Sequence, residues 1–461
     1  MTGDKRIILM ALLTAVAMCG CAPEAERSAR VVFSASAAPL QSVRDELQAT
    51  IDHLAESGGG TLVIPPGRFR TGGIFLKSGI TLELSEGAVL EGDERLCEYP
   101  PIGIRHSELG DNPWLALIAA VRAENVAVVG KGTIDGRGES ILGHYYKPTR
   151  PRGLLFYKCR NVRVEDVRLV NAMSWMCYFK ECEGVLARGV KIWNHGNVNN
   201  DGFDIEASDV LIENCLVDTG DDAICLKSDN PDFRMTNVTV RNCTVASQCC
   251  AFKIGTASRG MVSGIEFSDS QIVACDFSSG RKAAVIHDTM KDIRGVTDER
   301  TGMSAFAVEN VDGAVLRDVT VKDIIFDGYA TPFFVRFGSR SPSSRTDGLP
   351  PRLENVVFER VKGIARSSIA SSVTGVPGLR PRGIVFRNVT VTVPGGGTTA
   401  DMRDTVPEVA GGYPQSYMFD RKVLPACGFY VRHSDGVKFE NVNIVRAGED
   451  AREDIVLDDC R

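Results

Sequence analysis

A short phrase of alternating apolar and polar residues recurs along this chain, and the recurrence limits the fold more than any other feature. It reads x-V-x-ϕ-x-N/D-V/C-x-ϕ, where ϕ is apolar. Copies open at Val162, Val185, Val210, Val238 and Ile265, with starts 23, 25, 28 and 27 residues apart. Later copies, more widely spaced, open at Val315, Val356, Ile384 and Val437. Period-two alternation is the signature of a strand, not of a helix. Short strands returning every ~20–30 residues, with no helical stretches between them, describe an all-β solenoid, a parallel β-helix. A leucine-rich repeat has a similar period, but its Leu-x-x-Leu-x-Leu skeleton is absent here. The 46 glycines suit a fold with many tight turns.

In such a solenoid, residues one coil apart stack at about 4.8 Å. That spacing gives meaning to two bursts of carboxylates, Asn199-Asn200-Asp201-Gly202-Phe203-Asp204 and Thr219-Gly220-Asp221-Asp222. Twenty residues separate Asp201 from Asp221, about one coil. The bursts therefore fall on neighbouring rungs of one sheet. Like charges gathered in one cleft raise at least one pKa, so one carboxyl stays protonated beside ionised neighbours. Glycosidic hydrolysis needs this division: an acid for the leaving oxygen and a base for water. A bland alternative is that these aspartates are turn residues, since Asp-Gly and Gly-Asp are common in loops.

The solenoid needs a cover at its open end. Ser42 to Ser57 supply a helix, with Val43, Leu47, Ile51 and Leu54 on one face. Ser42 is its expected N-cap, Asp45 fills the capping-box position and Gly58-Gly59-Gly60 stop it. Ahead of it, Lys5-Arg6 precede an apolar run from Ile7 to Met18 that ends at Met18-Cys19-Gly20-Cys21. Residues 1–21 read as an export signal, either of lipoprotein type with Cys21 carrying the lipid or of simple secretory type. Residues 22–38 read as a flexible tether and 39–461 as one catalytic domain. The expected location is outside the cytoplasm: periplasmic, on the outer surface, or secreted. A net charge of −6 gives no global attraction to nucleic acid, and a monomer is expected. The fourteen cysteines are expected to be mostly buried thiols, Cys215, Cys225, Cys243 and Cys275 among them, with one or two disulfide bridges.

From Ser42 to Asp288 the sequence resembles family 28 glycoside hydrolases, the polygalacturonase family of the pectin-lyase-like superfamily. Its opening segments "GGGTLVIPPGRF", "GGIFLKSGITLELSEGAVLEGD" and "GKGTIDGRG" are similar to the family's usual ones, and Asn199–Asp204 and Gly220-Asp221-Asp222 are similar to its catalytic motifs. The resemblance implies a single-stranded, right-handed parallel β-helix and an inverting hydrolase acting on a cell-wall polysaccharide or oligosaccharide of acidic, pectic type. Asp221 would be the general acid, and Asp201 and Asp222 would together deprotonate water. Spacing alone points elsewhere, because one coil of about 4.8 Å is nearer the retaining carboxylate separation of about 5–5.5 Å. Two departures stand out. Cys250 takes the place of the histidine of the family's Gly-His-Gly, and Val285-Ile286-His287-Asp288 replaces its Arg-x-Lys.

Around the three aspartates, Asn199, Asp204, Lys253, His287 and His195 are candidate substrate contacts. Lys253 would supply a replacement cation for an acidic sugar. Lys227 is a weaker candidate, Trp175 reads as core before sugar platform, and Arg259, Arg281 and Lys282 form a basic neighbourhood. No cofactor and no metal site emerges. Two other functions stay open. A calcium-dependent polysaccharide lyase is one, since paired aspartates can bind calcium; a non-catalytic carbohydrate-binding β-helix is the other.

Overall fold

The computed structural model describes residues 29–35, 41–104, 114–141, 149–276, 292–341, 346–413, 418–419 and 422–461. Residues 1–28, with Cys21, and the stretch holding Arg281, Lys282 and His287 lie outside the described residues.

Each coil contributes to three parallel sheets. One sheet stacks Ala116–Val121, Arg152–Tyr157, the starts of Cys177–Arg188 and Phe203–Glu213, then Ile224–Ser228, Cys250–Ser258 and Gly302–Asn310. The second carries the repeat. Val126, Val162, Val185, Val210, Val238, Ile265, Val319, Val356 and Ile384 form one column, each aligned with the next. The copy read from Val315 is four residues out of frame, since Val315 aligns with Met261 and Val319 with Ile265. The third sheet stacks Thr133–Asp135, Arg168–Val170, Lys191–Asn194, Leu216–Thr219 and Thr244–Ser247.

The repeat has a backbone cause. Its Asn/Asp position is the corner between two sheets, where the chain turns through left-handed conformation. Asp166, Asn214, Asn242, Asp269, Asp323, Asn388 and Asn441 all have φ between 50° and 62°. Asn and Asp enter that region at the least cost after glycine, and Gly189 takes the same corner in its own coil. Inside, like side chains stack coil on coil: Phe156 on Phe179 at 5.4 Å, Phe306 on Phe333 at 5.3 Å and Phe358 on Phe386 at 5.1 Å. Such offset stacks add to the area they bury.

The capping helix runs Arg44–Glu56 and buries Leu47, Ile51 and Leu54 against the first coil. Its N-cap is Val43, not Ser42, and no side chain caps it. Val43 is pinned by its own N–H to Arg70 O (2.8 Å) while its carbonyl accepts from Leu47 N (3.0 Å), which fixes the helix start one residue late. Truncating Leu47, fully buried, to alanine should cost about 2–5 kcal/mol, read as a lowered unfolding midpoint.

Two other expectations are corrected. Ala29–Val32 is a strand paired in parallel with Gly60–Val63, so that stretch of the supposed tether belongs to the body. All twelve cysteines among the described residues are free, ten of them buried. Several of these thiols donate to carbonyls instead: Cys159 Sγ to Ala120 O (3.3 Å) and Cys182 Sγ to Phe156 O (3.2 Å) on the preceding coil, and Cys225 Sγ to Gly255 O (3.0 Å) on the following one.

Candidate active site

The two acidic bursts meet. Phe203 aligns with Ile224, and Ile224 with Phe252, so the residues just before these strands also stand on successive coils. Backbone bonds from Met176 N to Asp201 O (3.0 Å) and Gly202 N to Asp222 O (2.9 Å) bind the rungs. Oxygens of Asp201, Asp221 and Asp222 lie within 4.8 Å of one another. Asp221 sits on a turn held by Thr219 Oγ1 and Ser247 Oγ, each donating to its carbonyl at 2.6 Å. Its carboxylate accepts from Asp222 N (2.9 Å) and Asn199 Nδ2 (3.3 Å).

Close approach depends on Gly202. A Cβ there would lie 2.4 Å from Ala223 O and 2.7 Å from Val217 Cγ1. Gly202→Ala should therefore force the Asp201 and Asp222 rungs apart, costing about 1–3 kcal/mol of stability and most of the activity. Unfolding midpoint and turnover, measured together, check this.

The three carboxylates are not equivalent. Asp201 and Asp222 are buried and Asp221 is half-buried. Burial, together with the charges of Asp204 and Asp221, pushes Asp201 well above the carboxylate range, against the pull of Lys227. Burial acts on Asp222 in the same sense, but Lys253 and Lys227 outweigh it and hold Asp222 below its ordinary value. Lys253 Nζ donates to Asp222 Oδ2 at 2.9 Å and Cys250 N to Oδ1 at 3.3 Å. Lys253 in turn stays charged: burial lowers its pKa, and Asp222 and Glu309 more than restore it. Burial and neighbouring charges thus push Asp201 and Asp222 in opposite directions within one cleft.

The carboxylates open into a cleft of about 470 Å³ lined by Trp175, Asn199, Lys227, Lys253, Arg259 and Arg340, with Thr256, Ser341 and Tyr413. Asn199 is held at the mouth by Arg150, whose Nη2 donates to Asn199 Oδ1 at 2.9 Å. Lys227 lies 3.6 Å from Asp201 Oδ2 and 4.7 Å from the centre of the Trp175 ring. Trp175 is both things at once, buried against Trp114 and Tyr178 yet part of the cleft floor.

Three expected substrate contacts have partners within the protein. Lys253 lines the cleft, and its ammonium donates to Asp222, through which it tunes that carboxylate. Asp204 is fully buried and is not part of the cleft lining; its Oδ1 lies 3.3 Å from Lys227 Nζ, and burial raises its pKa to about 7 despite that lysine. His195 is 1% exposed and bonds Asp218 through Nε2 at 2.8 Å, beside Cys275, and is not part of the cleft lining. It follows strand Lys191–Asn194, and Asp218 one coil on captures its ring. His287 lies outside the described residues. Sequence reading gave Arg340 and Tyr413 no role; they come from segments far along the chain. Arg340 pairs with both oxygens of Asp312 and donates to Tyr413 OH at 3.0 Å.

The family model for glycosyl hydrolases family 28 matches residues 76–410. A probable polygalacturonase of Vitis vinifera is 23% identical over 356 residues, 72% of this chain and 67% of that protein. Polygalacturonase-2 of Solanum lycopersicum is 23% identical over 289 residues, and the match spans 60% of this chain and 56% of that protein. Among solved structures, the family 28 exopolygalacturonase of Yersinia enterocolitica superposes with a TM-score of 0.68 at 16% identity, over 94% of this chain and 78% of that one. That likeness shows the fold, the right-handed parallel β-helix expected from the repeat. Because the family model spans well over half of the sequence, including both acidic motifs, the chain belongs to glycosyl hydrolases family 28 and is a polygalacturonase-like O-glycosyl hydrolase.

Proposed function

We propose that this protein hydrolyses an acidic, pectic cell-wall polysaccharide outside the cytoplasm, with inversion at the anomeric carbon. The observation that carries the reading is the convergence of three carboxylates from neighbouring coils in one cleft, with Asp222 held toward its ionised form by Lys253. Asp222, ionised by Lys253, takes the larger share in accepting a proton from water, with Asp201 beside it. Asp221, the half-buried member, faces the leaving group and gives it a proton. The water oxygen bonds the anomeric carbon as the glycosidic C–O bond breaks, so one proton enters the cluster and one leaves. Inversion rests on the likeness of the motifs, since the gaps between the carboxylates are short for it.

An acidic substrate is supported by the positive charge that Arg259, Lys227 and Lys253 bring to the cleft lining, and by the polygalacturonase names of the relatives. Export is supported by Lys5-Arg6 and the apolar run behind them. Calcium-dependent elimination fits less well. The carboxylates are close enough to hold a hard cation, but Lys227 and Lys253 already bring positive charge to them.

Incubation with galacturonan, rhamnogalacturonan, xylan and sulfated galactan tests the reading. New reducing ends from an acidic pectic polymer, without ultraviolet-absorbing unsaturated products, support it. Chelator-sensitive unsaturated products, or cleavage of xylan alone, would overturn it.

A further inference from the structure

Beside the catalytic carboxylates lies a group of soft donors that the hydrolytic reaction does not use. Cys249 and Cys250 stand where strand Cys250–Ser258 begins, one coil beyond Asp222. Their sulfurs are 4.0 Å apart, and Met303 Sδ is 3.9 Å from Cys249 Sγ. A carboxylate oxygen of Asp222 and both sulfurs lie within 4.8 Å of one another. Two thiolates bound to one tetrahedral ion at about 2.3 Å stand roughly 3.8 Å apart, so the observed sulfur separation already suits a single ion. Neighbouring thiols that merely filled core space would not need to share a carboxylate and a thioether.

We propose that Cys249, Cys250 and Asp222, with Met303 as a weak fourth donor, form a binding site for a thiophilic divalent cation of the zinc, cadmium and mercury class, and that occupancy switches hydrolysis off. Thiolate and thioether sulfur select soft metals over calcium or magnesium. Binding exchanges two thiol protons for the cation, leaving two thiolates and one carboxylate around it. Lys253, at 2.9 Å from Asp222 Oδ2, balances the third negative charge. The ion reaches the site through the cleft, which Asp222 lines. It is inhibitory because it takes the carboxylate assigned to water activation, and in that consequence the inference rests on the proposed function. Binding itself does not depend on it.

The test is titration of the full chain with cadmium chloride, followed by the cadmium–thiolate ultraviolet band, by equilibrium dialysis and, in parallel, by turnover. One cadmium per chain is expected, with activity lost in step with occupancy and restored by chelator. Cys97→Ser, at the exposed thiol, should leave binding unchanged. The double variant Cys249→Ala/Cys250→Ala should lose the band and at least tenfold in affinity. Should that variant fail to fold, X-ray absorption of the cadmium-loaded wild type decides: two or three sulfurs with oxygen in the first shell are expected, and a shell without sulfur would contradict the site. Unchanged binding in the folded double variant, or no cadmium bound by the wild type, overturns the inference. Full occupancy with undiminished turnover overturns the inhibitory role. A chain that binds cadmium but hydrolyses none of the panel leaves the site standing and removes the proposed function.

Discussion

Asp222→Asn should lower kcat/KM by about 10³-fold or more, while binding of an oligosaccharide substrate persists. The magnitude is that of losing a positioned proton acceptor, about 10²–10⁴-fold, at a group held ionised by an ion pair at 2.9 Å. Asp221→Asn should cost a similar factor through loss of the proton donor. Because the two act in one step, the double variant should fall little below either single one, as groups that work as a unit are non-additive. Measuring kcat/KM for all three, with substrate affinity by calorimetry, checks both the size and the coupling. Simple addition of the two losses would mean that the carboxylates act independently.

Lys253→Met is the second large effect. Methionine keeps most of the volume but removes the charge that outweighs burial at Asp222. Breaking a buried pair by deleting one partner costs about 3–5 kcal/mol, moderated here by Lys227 nearby. The sign of the pH effect follows from the direction of the shift. Asp222 is held below its unfolded value, so its contribution to stability is present above that value and is lost as pH falls through the folded one. Without Lys253 the folded value rises. The acid limb of kcat/KM should then move to higher pH, and the unfolding midpoint at neutral pH should drop. Lys253→Arg should restore much of both. A variant that loses stability but keeps the wild-type acid limb would deny Lys253 its hold on Asp222.

Much of this was legible in the sequence because the solenoid writes its geometry locally. Burial of one face per strand imposes the period-two alternation, and the left-handed corner favours Asn, Asp or Gly at one place in the coil, with Arg360 taking it once. The same one-coil stacking makes Asp201 and Asp222 neighbours, so the acidic core could be read from spacing alone. The Val315 copy was misframed because its phrase fits two positions four residues apart, and only pairing with Met261 and Ile265 chooses between them.

What escaped depends on contacts that no local pattern encodes. Nothing in the sequence around Lys253 shows that register brings Asp222 against it. His195 precedes the acidic motif in sequence, yet Asp218, one coil on, turns its ring away from the cleft. Arg340 and Tyr413 reach the cleft from segments with no motif of their own. The cysteines suggested bridges because the chain reads as exported, but inward-facing thiols such as Cys159, Cys182 and Cys225 meet backbone carbonyls of neighbouring coils.

The most direct test of the central claim, that these carboxylates divide acid and base duties across one glycosidic bond, is the anomeric configuration of the first product. Time-resolved proton nuclear magnetic resonance on whichever pectic polymer the wild-type protein cleaves should show the inverted anomer before mutarotation. First appearance of the retained anomer would mean that an aspartate bonds the sugar, and would contradict the roles assigned to Asp201, Asp221 and Asp222.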